Sequence, residues 1–280
     1  MTPTFQHKIV AGVGPEDSFA AVDLAVSEAR LRDMPLELLC AYPAEERADG
    51  PHTTLTAVLH RVCAAWPGST VSARNITGNP AESLIEASRA AALVVVGRDP
   101  RPHPGSVGAQ VAAHSRCPTM IALPDAAPAP AGPVLVGVGM SPDDEPALGF
   151  AFEEASLRGV PLLAAHIWSG MPAGALTAVS PFAYDMKQAQ GAADRMLAET
   201  LAGWSDKFPD VTVERMPLYD ANAAKTLLDV STLAGLVVVG ARRHSRRSSQ
   251  LLGTVTRMLM RHAHCPVAVI RAAGSGGGGK

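Results

Sequence analysis

The same succession of short blocks occurs twice in this chain, and that duplication limits it to folds built from two similar units. Ile9-Val10-Ala11-Gly12-Val13-Gly14 lines up with Val134-Leu135-Val136-Gly137-Val138-Gly139. Glu28-Ala29 with Pro35-Leu36 matches Glu154-Ala155 with Pro161-Leu162, and Val94-Val95-Val96-Gly97 matches Val237-Val238-Val239-Gly240. Gly105-Ser106-Val107 matches Gly253-Thr254-Val255, and Cys117-Pro118 matches Cys265-Pro266. Between the copies runs Asp125-Ala126-Ala127-Pro128-Ala129-Pro130-Ala131-Gly132-Pro133, a proline-rich linker of restricted flexibility. The expected organisation is residues 1–124 as a first domain, 125–133 as linker, 134–273 as a second domain and 274–280 as a flexible tail or appended linker. That tail mimics a phosphate-binding loop in Gly274…Gly279-Lys280, but it lacks the preceding strand and the following helix that such a loop needs.

The chain has apolar material for two cores, because 47% of the 280 residues are hydrophobic and 18% charged, a balance far from that of disordered chains. The formal net charge is −2 and neither half is strongly basic, so no nucleic-acid partner is expected. No apolar run approaches the ~20 residues of a membrane span, and Met1–Lys8 has no signal-peptide core. Cys40, Cys63, Cys117 and Cys265 are scattered without paired spacing, which predicts neither disulfide nor zinc. A cytoplasmic location and no membrane contact follow as expectations.

Within each copy, short apolar runs alternate with segments of helical length. Leu93–Val96 and Leu236–Val239 are continuous, as strands buried on both faces of a parallel sheet are. Ser18–Arg32 carries Phe19, Val22, Val26 and Ala29 near helical spacing, and Leu36–Cys40 reads as the next strand. Ser141-Pro142-Asp143-Asp144 supplies an N-cap, a first-turn proline and acidic residues suited to a helix dipole. Asn79-Pro80 and Asn222 open further helices. This alternation predicts an α/β fold of two tandem doubly wound domains.

In such sheets ligands bind beyond the carboxyl ends of strands, where strand order reverses. In the second half, Gly240 ends its strand and Gly253-Thr254-Val255 opens the next helix, offering close backbone approach and helix-start amides for an anionic group. The alternative is that these glycines only make turns and Thr254 only caps a helix.

These residues resemble the universal stress protein family, in tandem, over nearly all of residues 5–271. The family's nucleotide motif is a glycine, two residues, a second glycine, nine residues, then Gly-Ser or Gly-Thr. Here Gly240 is followed by Ala241 and Arg242; Arg243 stands at the second glycine, and His244–Leu252 lead to Gly253-Thr254, so the spacing is kept. The resemblance implies a mainly parallel five-stranded sheet per domain in the order 3-2-1-4-5, with helices on both faces and domain pairing through the final strands. It implies ATP or a related nucleotide as ligand, at a site of Val138, Gly139, Gly240, Arg242, Arg243, Gly253, Thr254 and Val255.

Departures from the family pattern make the site degenerate. Gly14 and Gly139 stand where ATP-binding members carry an aspartate. In the first half only four residues separate Pro100 from Gly105-Ser106, and Pro100, Pro102 and Pro104 remove amide donors. No nucleotide is expected in the first domain, and weak or absent binding in the second. Arg242, Arg243, Arg246 and Arg247, with His244, either pair with phosphates, line a partner's acidic surface, or form a solvated loop.

No catalytic or metal-ligating set emerges. His262 and His264 lie two apart, off a common helix face, and His114 and His262 suit helix ends. Cys117 and Cys265 read as packing groups, and Trp168, Trp204 and Tyr184 as core or interface groups rather than a base-stacking platform. The expected role is a non-catalytic stress regulator with an unknown protein partner; a slow nucleotide hydrolase and a purely structural interaction protein stand as alternatives. The apolar residues of Ser169–Asp185 add the expectation of a homodimer.

Overall fold

The computed structural model describes residues 8–14, 18–42, 49–99, 105–124, 132–169, 186–241 and 252–272. The first half runs β1 (Ile9–Gly12), α1 (Ser18–Leu31), β2 (Leu36–Tyr42), α2 (Asp49–Ala65), β3 (Val71–Thr77), α3 (Pro80–Ala87), β4 (Leu93–Gly97), α4 (Val107–His114) and β5 (Thr119–Ala122). The second repeats it as β6 (Val134–Gly137), α5 (Glu145–Arg158), β7 (Leu162–Trp168), α6 (Met186–Ser205), β8 (Val213–Tyr219), α7 (Ala223–Val230), β9 (Leu236–Gly240), α8 (Thr254–His262) and β10 (Val267–Ile270).

All these strands join one ten-stranded sheet ordered β3-β2-β1-β4-β5-β10-β9-β6-β7-β8. Each half is thus a parallel 3-2-1-4-5 sheet, the α/β layering that the alternation predicts in the order that the resemblance implies. The halves meet in an antiparallel pair, where Val267 faces Ile121, Ala268 faces Met120 and Val269 faces Thr119. Because Thr119, Met120 and Ile121 correspond in the repeat to Val267, Ala268 and Val269, this register is a local twofold about the Met120–Ala268 pair. The predicted meeting of the final strands is therefore direct hydrogen bonding, which leaves neither inner edge exposed.

Two cores follow from the two faces of the sheet. Ile9, Ala11, Leu36, Leu38 and Val95 pack with Val22 and Ala25 of α1 on one face, continuous with Val136, Leu162, Ala151 and Phe152. Val10, Val94, Val96, Leu84 and Val111 pack on the other, with Val237, Val239, Leu227 and Leu259. The stripe predicted for α1 shifts in one respect. Ala21, Val22, Ala25 and Ala29 are buried, whereas Phe19 is 53% exposed and lies under Arg61, whose Cζ is 4.5 Å from the ring centroid. At this exposed end of α1 the ring is held by that cation and not by the sheet.

The helix starts are as predicted. Asn79 accepts from the Ala81 and Glu82 amides, and Asn222 from the Lys225 amide. The first glycine of each repeated strand has a packing role: a Cβ on Gly12 would lie 3.1 Å from Leu84 Cδ1, and one on Gly137 would lie 2.9 Å from Leu227 Cδ2. Helices α3 and α7 can settle on the sheet because those strands carry no side chain there.

The junction is fastened on both faces. Arg98, just after β4, donates to the Arg261 and Ala263 carbonyls at the end of α8, and Arg271, just after β10, donates to the Ala113 carbonyl at the end of α4. Each half therefore satisfies the open carbonyls of the other's helix with a cation, which also suits the helix dipole. On the opposite face, Arg32 pairs with Glu154 and Arg158 with Glu28 across α1 and α5.

Candidate functional site

The strand order reverses in the second half between β6 and β9, which pair in parallel with Val134 beside Leu236 and Val136 beside Val238. Continuing that register brings Val138 level with Gly240 at the carboxyl end of the sheet. From there the chain turns one way into α5 and the other way toward α8, leaving a crevice of the kind in which α/β sheets hold ligands.

The loop leaving β6 is tightly held. Met140 has φ 57°, an uncommon left-handed conformation for a residue with a Cβ. The buried carboxylate of Asp144 accepts from the amides on either side of it, Gly139 and Ser141, each at 3.0 Å. Ser141 in turn accepts from the Asp143 amide, completing a capping box on the 3₁₀ turn Pro142–Asp144 that leads into α5. The Gly139 amide is thereby engaged within the protein.

Strand β7 adds a polar side chain at the same end. The Nδ1 of half-buried His166 lies 2.9 Å from the Val138 carbonyl, so the ring donates there. On the other flank, Thr256 in the first turn of α8 donates its hydroxyl to the Gly240 carbonyl at 2.9 Å. That bond fastens the helix start to the strand end, so Gly253, Thr254 and Val255 stand beside Gly240. Gly253 is the N-cap of α8 and has no side chain with which to cap the first-turn amides. Those amides carry the positive end of the helix dipole and are suited to an anionic group.

Of the site residues read from the sequence, the structure brings together Val138, Gly139, Gly240, Gly253, Thr254 and Val255. Arg242 and Arg243, with the rest of the basic loop, lie outside the described residues, as do Pro100–Pro104, most of Ser169–Asp185 and Tyr184. Sequence reasoning missed His166, Thr256 and the backbone-holding role of Asp144. The spacing from Ser141 to Asp144 is itself the capping-box signature, and His166 is the one ionisable side chain within β7.

The remaining candidates sit in structural settings. Burial pushes the Cys117 and Cys265 thiols up to about 11 and about 12, which makes them poor nucleophiles. His264 Nδ1 lies 3.5 Å from Ser231 Oγ. Trp204 stacks on Phe152 and Phe208 in the core, and Trp168 packs at 4.7 Å against Tyr219. Among the described residues no helix is long and apolar enough to cross a membrane.

Comparison with known proteins covers both halves. The sequence profile of the universal stress protein family matches residues 6–122 and again 131–271. Universal stress protein Rv2005c of Mycobacterium tuberculosis is 32% identical over 296 aligned positions, covering 96% of this chain and 98% of that protein. Universal stress protein Rv2623 of the same organism is 32% identical, with 92% and 95% covered. The crystal structure of a universal stress protein from Archaeoglobus fulgidus superimposes with a TM-score of 0.71 at 17% identity, covering 96% of this chain and 97% of that one, so the paired fold is shared. The chain belongs to the universal stress protein family, as a tandem of two such domains.

Proposed function

We propose that this protein is a non-catalytic regulator with a degenerate nucleotide site in its second half, and that ATP or a related nucleotide binds there weakly. The observation that carries the reading is the convergence of the β6 end, the β9 end and the uncapped start of α8 at the point of strand reversal, fastened by the Thr256–Gly240 bond. First-turn amides can hold a phosphate without any side-chain anchor. Two features weaken the site. The position of the family's aspartate is Gly139, and its amide is committed to Asp144. Loss of a charge-assisted hydrogen bond costs about 1.5–3 kcal/mol, or roughly ten- to a hundredfold in affinity. The Arg242–Arg247 cluster falls between Gly240 and Gly253 in the sequence and offers cations that would recover part of this.

Calorimetry with magnesium-ATP tests the assignment. The wild type should bind weakly, and Gly253→Val should abolish binding while Gly105→Val in the first half leaves it unchanged. Tight binding that survives Gly253→Val contradicts the site, and absence of any heat supports the purely structural alternative. Turnover of ATP by the purified chain would move the reading to a hydrolase. Self-association of the 29.0 kDa chain belongs to the same proposal, and light scattering at micromolar concentrations measures it.

A further inference from the structure

The junction between α1 and α5 contains a closed ring of four buried charges. Arg32, the residue after α1, reaches Glu28 of that helix at 3.5 Å and Glu154 of α5. Arg158 reaches Glu154 on its own helix at 2.8 Å and Glu28 across the junction. Both glutamate side chains are 0% exposed, Arg32 is 6% exposed and Arg158 13%. The arrangement repeats the duplication: Glu28 and Arg32 occupy at the end of α1 the places that Glu154 and Arg158 occupy at the end of α5, so one pair is the twofold image of the other.

The four charges of the ring balance one another, and a further carboxylate loads it from the rim. Glu153, on the rim, also contacts Arg32 at 2.9 Å. Three carboxylates therefore share two guanidiniums, which stay protonated at every relevant pH. The Glu28 carboxyl is repelled by that of Glu154 across the ring, and its Oε2 is buried with no hydrogen-bond partner, the Arg32 Nε standing 3.5 Å away. A proton on that oxygen would remove an unpartnered buried charge and, with Glu153 counted, bring the cluster to neutrality. The strands beneath these helices add no competing charge. They read Leu-Val-Val-Val-Gly in β4 and β9, Thr-Met-Ile-Ala in β5 and Val-Ala-Val-Ile in β10, without an ionisable side chain. Farther out, Glu37 of β2 is engaged by Lys8 and Arg74, and His166 of β7 by the Val138 carbonyl.

We propose that Glu28 and Glu154, closed between Arg32 and Arg158, form a proton-holding latch between the two halves that fastens more firmly as solution turns from neutral to mildly acidic. Burial first, then repulsion from Glu154, raises the Glu28 pKa from 4.5 to about 7 against the pull of Arg158 and Arg32. The direction of the effect follows from linkage. Between 4.5 and about 7 the folded protein holds a proton that the unfolded chain has released, so stability from this group rises as pH falls through about 7 and is complete below 4.5. The latch is independent of nucleotide binding, because it lies in the junction helices and not at the Gly240–Gly253 crevice.

Urea unfolding of the full chain between pH 5 and pH 8, for wild type and Glu28→Gln, tests this. The introduced amide imitates the protonated carboxyl, so the wild-type unfolding constant should change by up to ~tenfold more per pH unit than that of the variant. Groups other than Glu28 contribute equally to both curves and cancel in the difference. If the variant does not fold, carboxyl ¹³C resonances of glutamate-labelled wild type give the same answer. One buried glutamate should titrate near neutrality. Parallel unfolding curves, or all buried glutamates titrating in the ordinary carboxylate range, would overturn the latch.

Discussion

The two halves share strand order, helix order and strand-end glycines, yet they differ at the places where one half could take a ligand. In the second half Thr256 fastens α8 to Gly240, whereas its counterpart in the first half is Gly108, which has no hydroxyl and lets α4 pack close to Gly97. His166 faces the Val138 carbonyl, while its counterpart Cys40 is a buried apolar neighbour. The second half also builds a larger aromatic core, with Phe152 stacked at 5.9 Å on Trp204 and 5.7 Å on Phe208. A duplicated sheet thus keeps its scaffold by repeating the glycines and valines that pack it, and specialises by changing single polar groups at one strand end.

The largest test of this contrast is in the cores. Phe152 is fully buried, and Phe152→Ala should cost about 3–5 kcal/mol in denaturant unfolding. Its counterpart Val26 is smaller and half-buried, so Val26→Ala should cost clearly less. Equal losses would show that the second core is no more tightly built than the first.

A middle-sized effect lies at the junction strand, where the twofold is imperfect. Thr119 is fully buried and its hydroxyl has no hydrogen-bond partner among the described residues, whereas the corresponding Val267 has no hydroxyl. Thr119→Val should therefore raise stability by about 1 kcal/mol, the low end of the cost of an unsatisfied buried group. A loss of stability would reveal a partner for that hydroxyl in solution.

The smallest effect concerns acid. Burial works to raise the Glu37 pKa, but hydrogen bonds from Lys8 and Arg74 outweigh it and hold the carboxyl below 4.5. Its contribution is present above 4.5 and is lost as pH falls through the lower folded value. The corresponding residue of the second half is Leu163, with nothing to titrate. Glu37→Gln should flatten the acid limb of the stability profile below that pH, in a window separate from the Glu28 titration.

Much of the fold was legible because the repeat and the apolar runs are local signals. The Val-Val-Val-Gly strands, the Asn79 and Asn222 caps and the pairing of the last strands all emerged from spacing or resemblance. Less of the site was legible. Thr256 and His166 matter through bonds to carbonyls 16 and 28 residues away, and no local pattern reports such a distance. Glu28 and Glu154 were visible as a matched block, but their ring depends on which helices the strand pairing brings together. Phe19 followed the helical period and still faces outward, because periodicity gives a stripe and not its rotation about the axis.

The central claim is that ligand capacity belongs to one half of a symmetric molecule. Amide chemical shifts of ¹⁵N-labelled full-length chain, followed while magnesium-ATP is added to millimolar concentration, test it most directly. The account predicts fast-exchange shifts at Gly240, Gly253, Thr254 and Val255, with Gly97, Gly105 and Ser106 unmoved. Shifts centred on the first-half residues, or equal shifts in both sets, would contradict it.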